Sequence, residues 1–184
     1  MLPNNRYCKD DLGADILLSA SGEQVMMAWE KNYMEASIDE LCPAGDVLEI
    51  GFGLGYSASR IMGYRPRSYT LIECDSGVIS HAKEWALQYK EYDTEIHIIE
   101  GRWQDVIHKM GVFDRIYFDD YPLVPGSPDT VDSFLSYRRV ITFIDICVRE
   151  HTRIGSCLSW YSHSNDRLIS LGSDTDPFVK IRSV

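Results

Sequence analysis

The sequence predicts an α/β protein built on a doubly wound, mostly parallel sheet, and three observations lead to this class. Short apolar segments, typical of buried strands, alternate with segments whose apolar residues recur at helical spacing. The first strand of this series runs directly into a glycine-rich turn. The chain has 184 residues, which is enough to bury the hydrophobic core of one domain. Strands connected through helices pair in parallel, and right-handed crossovers then place helices on both faces of the sheet.

Five strands and five helices are expected, without repeats or low-complexity segments. The strands are predicted within residues 44–53, 68–75, 94–101, 113–122 and 155–162. The helices are predicted within residues 22–42, 55–63, 76–90, 103–110 and 130–151. We expect a single domain over residues 1–184, in which residues 1–20 form an N-terminal arm that is either flexible or covers the site.

Composition and charge narrow the classes of function. The net charge of −10 argues against nucleic acid as the main partner, because phosphate binding needs clustered Lys and Arg, and it favours a cationic substrate. No apolar run approaches the roughly 18 residues of a membrane helix, and the polar first residues predict a cytoplasmic protein without membrane attachment. Five scattered cysteines without a CxxC pair predict free thiols, and the histidines lack metal-ligand spacing, so no metal is expected.

The glycine turn follows the first predicted strand of the alternating series, in VLEIGFGLGYSASR. Gly51, Gly53 and Gly55 alternate, whereas a dinucleotide fingerprint needs its third glycine at the position of Tyr56. Glu49 precedes the turn by two residues, and a carboxylate there would repel a pyrophosphate and suit a ligand with positive charge. A tight turn without a ligand is the alternative.

Polar and aromatic residues follow the next two strands. Glu73 ends the second strand 24 residues after Glu49, where an acid commonly accepts the hydroxyls of an adenosine ribose. Cys74 lies beside it, and Trp103 and Gln104 follow the third strand, where they could meet an adenine ring. Dinucleotide enzymes share this ribose contact, so it identifies no reaction. A surface acid and core packing of Trp103 remain the structural alternatives.

The fourth strand ends in FDDYPL. Adjacent side chains on a strand point to opposite faces, so only one of Asp119 and Asp120 is expected to face the ligand. The pattern alone leaves the choice open.

Taken together, QVMMAWEKNYMEA, VLEIGFGLGYSASR, LIECDSGV, GRWQDV and FDRIYFDDYPL resemble the guanidinoacetate N-methyltransferase family and its relatives that methylate arginine side chains. The resemblance runs from about residue 15 to residue 165. It implies a Rossmann-like class I methyltransferase domain that uses S-adenosylmethionine. After LSWYSH the family continues through a helix and a strand pair that this chain lacks, so the fold is expected to be C-terminally shortened. The acceptor site is then either open or closed by a second subunit, which predicts a homodimer.

The resemblance also implies which residues meet the acceptor. Glu30 corresponds to the carboxylate that holds the guanidinium, and Asp119 to its partner and proton acceptor. Tyr121, His163 and Ser164 are expected beside the acceptor. An exposed acid on a helix is the alternative for Glu30, and an ordinary loop is the alternative at His163.

The cofactor residues follow from the same resemblance. S-adenosylmethionine is expected to contact Glu49, Gly51, Gly53, Gly55, Glu73, Cys74, Trp103, Gln104 and Asp119. Two positions depart from the family pattern. Gln104 stands where Glu is usual, although its oxygen can also accept from an adenine amino group, and Asn32 stands where Pro is common.

The sequence therefore predicts an S-adenosylmethionine-dependent N-methyltransferase acting on the guanidino group of a small molecule such as guanidinoacetate or arginine. Protein arginine is expected less, because no docking domain is evident. Two alternatives stay open. One is an S-adenosylmethionine-binding subunit without catalysis, and the other is an NAD-dependent oxidoreductase.

Overall fold

The computed structural model describes residues 6–19, 22–120 and 133–161. Its strands are β1 (Arg6–Lys9), β2 (Asp15–Leu18), β3 (Gln24–Met27), β4 (Asp46–Ile50), β5 (Ser68–Glu73), β6 (Glu95–Glu100), β7 (Arg115–Phe118) and β8 (Cys157–Trp160). Its α-helices are α1 (Lys31–Leu41), α2 (Tyr56–Gly63), α3 (Ser76–Ala86), α4 (Trp103–Val106) and α5 (Ser133–Ile146). Short 3₁₀ turns precede α1 and follow α3 and α4, and a π-helical turn, Cys147–His151, continues α5.

The central sheet has five parallel strands in the order β6-β5-β4-β7-β8. The predicted α/β class and its five strands are therefore confirmed. The chain moves outward from β4 in one direction through β5 and β6, and then returns to pair β7 on the other side of β4. Ligands of open α/β sheets bind where this order reverses, outside the carboxyl ends of the strands.

Alternate strand residues face the two helix layers. One face, here called the α1 face, is covered by α1, α2 and α3 and includes Val47, Tyr69 and Tyr117. The opposite face, here called the α5 face, is covered by α4 and α5 and includes Leu48 and Phe118. None of the helices in residues 6–19, 22–120 and 133–161 is long and apolar enough to span a membrane.

The N-terminal region corrects one prediction. A helix was expected across residues 22–42, but residues 24–27 form β3, and the α-helix begins only at Lys31. β3 pairs antiparallel with β2, and β2 pairs with β1, so the three strands form a separate small sheet. Asp10 stabilises the turn between β1 and β2 by accepting the backbone N–H groups of Leu12 and Ala14. Pairing with the preceding strand therefore overrides the helical pattern of the first part of this segment.

The carboxyl ends of the central strands bring four residues to one level. Ile50 is paired with Ile72 and Phe118, and Phe118 is paired with Trp160. The residues that immediately follow these four are Gly51, Glu73, Asp119 and Tyr161. The ladder continues through them, because the Gly51 amide donates to Ile72, that of Asp119 to Ile50 and that of Tyr161 to Phe118.

Candidate active site

The glycine turn packs tightly against the end of β7. Gly51 has φ +83°, and a Cβ at this position would collide with the backbone carbonyl of Asp119. Gly53 accepts a 2.9 Å hydrogen bond from the hydroxyl of Tyr7, and Gly55 is the N-cap of α2. The turn therefore fixes the backbone of Asp119 beside the start of α2.

Glu49, two residues before this turn, is enclosed by neighbouring side chains. The residue is fully buried on the α1 face, where its two oxygens accept hydrogen bonds from the hydroxyls of Ser57 and Tyr69. Burial raises the pKa of Glu49 to about 8, against the lowering effect of these two hydrogen bonds. The predicted ligand contact of Glu49 is therefore not supported by its position. The geometry gives it the role of tying β4 to α2 and β5.

Glu73 is held in a fixed orientation at the end of β5. Its Oε2 accepts the N–H of Phe52 in the glycine turn at 3.0 Å, and its Oε1 accepts those of Cys74 at 2.6 Å and Asp75 at 2.9 Å. Burial raises the pKa of Glu73, while these backbone donors oppose the rise. Because a carboxylate offers about four lone-pair sites, Glu73 can accept a further hydroxyl such as that of a ribose.

The residues beside Glu73 differ in how they could meet a ligand. Cys74 is half-buried, and burial followed by the charges of Glu73 and Asp120 raises the pKa of its thiol to about 12, so it stays neutral. Gln104 lies half-buried in the first turn of α4. Trp103 is a core residue that packs edge-on against Phe118 at 5.8 Å between ring centroids.

Asp119 and Asp120 point to opposite faces of the sheet, as strand alternation requires. Asp120 belongs to the α5 face, where it accepts from the indole Nε1 of Trp103 at 2.6 Å and pairs with Arg139 of α5. Asp119 shares the parity of Tyr117 and so faces α1. The structure therefore separates the two carboxylates by face and leaves Asp119 on the side of Glu30.

The charge of Glu30 acts directly on Asp119. The pKa of Asp119 is raised to about 7, first by burial, then by the negative charge of Glu30, and after that by Asp120 and Glu73. Repulsion between these two negative charges costs free energy, and a cation bound between them offsets this repulsion. The arrangement is therefore suited to bind a positively charged group.

Glu30 lies at the start of α1 and is only 7% exposed. Its Oε1 accepts the backbone N–H of Met27 at 2.7 Å, in a capping box that ends β3 and begins the helical segment. The hydroxyl of Tyr161 donates a second hydrogen bond to the Glu30 carboxylate. The exposed-acid alternative for Glu30 is thus wrong.

Three tyrosines surround the two carboxylates and were not predicted from the sequence. The rings of Tyr33 and Tyr161 meet edge-to-face at 5.2 Å. Tyr117 is fully buried, and its hydroxyl has no hydrogen-bond partner among the described residues. Burial, followed by the charge of Asp119, raises the pKa of Tyr117, and burial, followed by Glu30 and then Asp119, raises the pKa of Tyr161. The place of Tyr161 near the end of the fifth predicted strand was the available sequence signal.

The N-terminal sheet covers the glycine turn. Besides its bond to Gly53, Tyr7 stacks on His81 of α3 at 4.2 Å between ring centroids. Met26 of β3 is buried against the same turn, where its sulfur accepts the N–H of Leu54 at 2.9 Å. Tyr7 donates to Gly53, the residue after Phe52, whose amide donates to Glu73, so Tyr7 lies on the same turn as the Glu73 carboxylate. Burial, followed by the charges of Glu73 and Asp75, raises the pKa of Tyr7. Tyr7, within the predicted arm of residues 1–20, therefore contacts the glycine turn, and covering of the site by that arm stays a prediction.

Three predicted acceptor residues, Tyr121, His163 and Ser164, lie outside the described residues. Within residues 6–19, 22–120 and 133–161, no group of three or more His, Cys, Asp or Glu side chains could hold a metal ion.

Comparison with known proteins agrees with this geometry. The model of the family described as guanidinoacetate N-methyltransferase matches residues 7–142, well over half of the chain. A protein arginine N-methyltransferase 2 of Aspergillus oryzae is 36% identical over 126 residues, which cover 64% of this chain and 30% of that relative. Its counterpart in Emericella nidulans is 33% identical over 126 residues, covering 64% and 29%. The chain thus spans less than a third of the length of these curated relatives.

One solved structure shows a similar fold. A SAM-dependent methyltransferase from Agrobacterium tumefaciens superposes with a TM-score of 0.50 over 88% of this chain and 54% of that one, at 16% sequence identity. At this identity the likeness concerns the fold alone.

Proposed function

The chain belongs to the guanidinoacetate N-methyltransferase family, and we propose that it transfers a methyl group from S-adenosylmethionine to a guanidino nitrogen. The observation that carries this proposal is that Glu30, buried at the start of α1, and Asp119, at the end of β7, lie on the same α1 face of the sheet. Burial, followed by the charge of Glu30, raises the pKa of Asp119. The family itself is one of methyltransferases. The proposal that the acceptor is a guanidino group rests on the two carboxylates, Glu30 and Asp119.

The pocket beside the glycine turn fits the adenosine part of S-adenosylmethionine. Glu73, held by three backbone amides, would accept the ribose hydroxyls, and the close approach of Gly51 to Asp119 brings the acceptor carboxylate to the same end of the sheet. Cys74 and Gln104 remain the candidates for the adenine side. When bound, the sulfonium of this cofactor supplies the methyl group.

The two carboxylates would bind and activate the acceptor. A guanidinium is planar, keeps its proton below about pH 12 and presents several N–H donors, so it can bond to two carboxylates at once. Glu30 would hold one side of the cation and Asp119 the other. Fixing the nucleophile in this way contributes about 7–11 kcal/mol in favourable cases.

Asp119 is also suited to take the proton. Methylation of one nitrogen leaves that nitrogen with a proton to lose, if the product is to remain a singly charged methylguanidinium. A carboxylate whose pKa lies near 7 in the free protein is better matched to this transfer than an ordinary aspartate. The proton passes to Asp119, and the methylated cation leaves between the same two side chains.

Two acceptor classes follow from different observations. The two buried carboxylates suit a small guanidino compound, such as guanidinoacetate or free arginine. The names of the two fungal relatives favour an arginine side chain in a protein as the second candidate. Both classes present the same cation to Glu30 and Asp119.

A methyl-transfer assay with labelled S-adenosylmethionine tests the proposal. Guanidinoacetate, arginine, agmatine and an arginine-containing peptide are offered side by side to the protein and to Asp119→Asn. Asp93→Asn, an exposed acid before the amino end of β6, is the matched control. We expect transfer to at least one guanidine by the protein and the control, and little by Asp119→Asn.

The same preparation distinguishes the alternatives. Binding of S-adenosylhomocysteine without transfer to any guanidine would favour a non-catalytic subunit. Tight binding of NADH in calorimetry, with no binding of S-adenosylhomocysteine, would favour an oxidoreductase. The homodimer stays a prediction from the sequence, which analytical ultracentrifugation would test.

A further inference from the structure

Tyr161 joins the acceptor site from a strand that the family match does not reach. It follows β8 directly, outside the matched residues 7–142, and its backbone N–H donates to Phe118 at 2.9 Å. This bond extends the β7–β8 ladder by one step, so Tyr161 lies level with Asp119. Because Trp160 faces the α5 layer, the next side chain points to the α1 face, toward Glu30.

The surroundings of Tyr161 fix its ring. It is half-buried against the core of the α1 face and meets Tyr33 edge-to-face, with an interplanar angle of 90°. Tyr33 is in the first turn of α1, three residues after Glu30. The ring is therefore held from α1 while its hydroxyl donates to the carboxylate at the start of the same helix.

We propose that Tyr161 is the positioning residue of Glu30, which it holds with its hydroxyl so that the carboxylate faces the guanidino acceptor. This inference rests on the proposed function, because it assigns Glu30 to the acceptor. It adds a group that takes no part in the proton transfer and acts only through its hydrogen bond.

The hydrogen-bond inventory of Glu30 explains why such a group is needed. A carboxylate has about four acceptor sites, and Glu30 uses one for the amide of Met27 and one for Tyr161. Among the residues that the structure describes, no other donor takes up the remaining sites, which can accept guanidinium N–H groups. Glu30 and Asp119 repel each other when no cation is present, and the Tyr161 hydroxyl opposes the rotation that would separate them.

Tyr161→Phe tests this role, since it removes only the hydroxyl. The matched control is Tyr64→Phe, which removes a tyrosine hydroxyl that donates to Asp39 at 2.7 Å on the exposed end of α2, away from the site. With guanidinoacetate or arginine as acceptor, we expect kcat/KM of Tyr161→Phe to fall about 10- to 100-fold, the range for a lost hydrogen bond to a charged group. The KM for the acceptor should rise, and the affinity for S-adenosylhomocysteine should not change.

A double-mutant cycle shows whether Tyr161 acts through Glu30. In a Glu30→Gln background, we expect Tyr161→Phe to lower the residual kcat/KM by less than about threefold, because the group it orients is already gone. An equal fall in both backgrounds, or no fall in the protein with Glu30 intact, would overturn the inference and leave the methyltransferase proposal standing. Absence of transfer to every guanidine by the unsubstituted protein would instead reject the proposed function, and this inference with it.

Discussion

Asp119 should make methyl transfer depend steeply on pH around neutrality. The carboxylate must be ionised both to bind a guanidinium and to accept a proton, and its pKa is raised from 3.8 to about 7 in the structure. The activity is therefore lost as the pH falls through 7, whereas an ordinary aspartate would stay active to about pH 4.

The size of the effect follows from this pKa. Asp119 is ionised in about 9% of molecules at pH 6 and in about 91% at pH 8, so kcat/KM should rise about tenfold between them. The guanidinium itself does not titrate in this range. Since kcat/KM reports the groups of the free enzyme, the midpoint refers to Asp119 before acceptor binds.

Initial rates of labelled methyl transfer, measured at low acceptor concentration from pH 5.5 to 9, give this profile. Glu30→Gln supplies a second test, because removing the neighbouring negative charge should lower the pKa of Asp119 and move the midpoint of the residual activity to lower pH. A profile that is flat from pH 5.5 to 8, or a midpoint that Glu30→Gln moves upward, would refute the reasoning.

Three further substitutions have defined outcomes. Asp119→Asn should lose most turnover and keep its affinity for S-adenosylhomocysteine; unchanged turnover would remove Asp119 from its role. At pH 8 the variant should also unfold at higher urea, with a gain in the free energy of unfolding of up to about 4 kcal/mol. The reason is that a carboxyl group with a raised pKa in the folded protein destabilises the fold as the pH rises from about 4 to 7. Gly51→Ala should destabilise by at least about 2 kcal/mol in urea titrations, through left-handed strain and the collision with Asp119, whereas Gly63→Ala, which meets no atom within 4 Å, should not destabilise. Tyr117→Phe should leave the melting temperature unchanged or raise it, since its buried hydroxyl has no partner among the described residues, and a clear drop would reveal one.

The sheet could be predicted from the sequence because each strand is indicated by the pattern of its own residues. Buried parallel strands appear as apolar runs, and four of the five central strands end at, or run directly into, a glycine or an acid, as in LEIGFG and LIECD. The strand ends also placed Gly51, Glu73 and Asp119 at one edge, since parallel strands share their carboxyl side. Strand alternation, applied to the observed face of Tyr117, explains why Asp119 rather than Asp120 faces the site.

The remaining features depend on contacts between different elements of the fold. The segment at 24–27 forms a strand by pairing with β2, and the helical spacing of its own residues does not indicate this pairing. Glu49 is bound by hydroxyls from α2 and β5, and its position in the motif does not indicate these contacts. Tyr161 meets Glu30 across more than a hundred residues of sequence, and its role required the register of β8 against β7.

The most direct test of the central claim is a crystal structure of the protein with S-adenosylhomocysteine and the best guanidine from the acceptor panel. We expect the guanidinium between Glu30 and Asp119, with nitrogen atoms within about 3.2 Å of an oxygen of each carboxylate. A guanidinium bound elsewhere, or the two carboxylates turned away from it in the complete complex, would contradict the account.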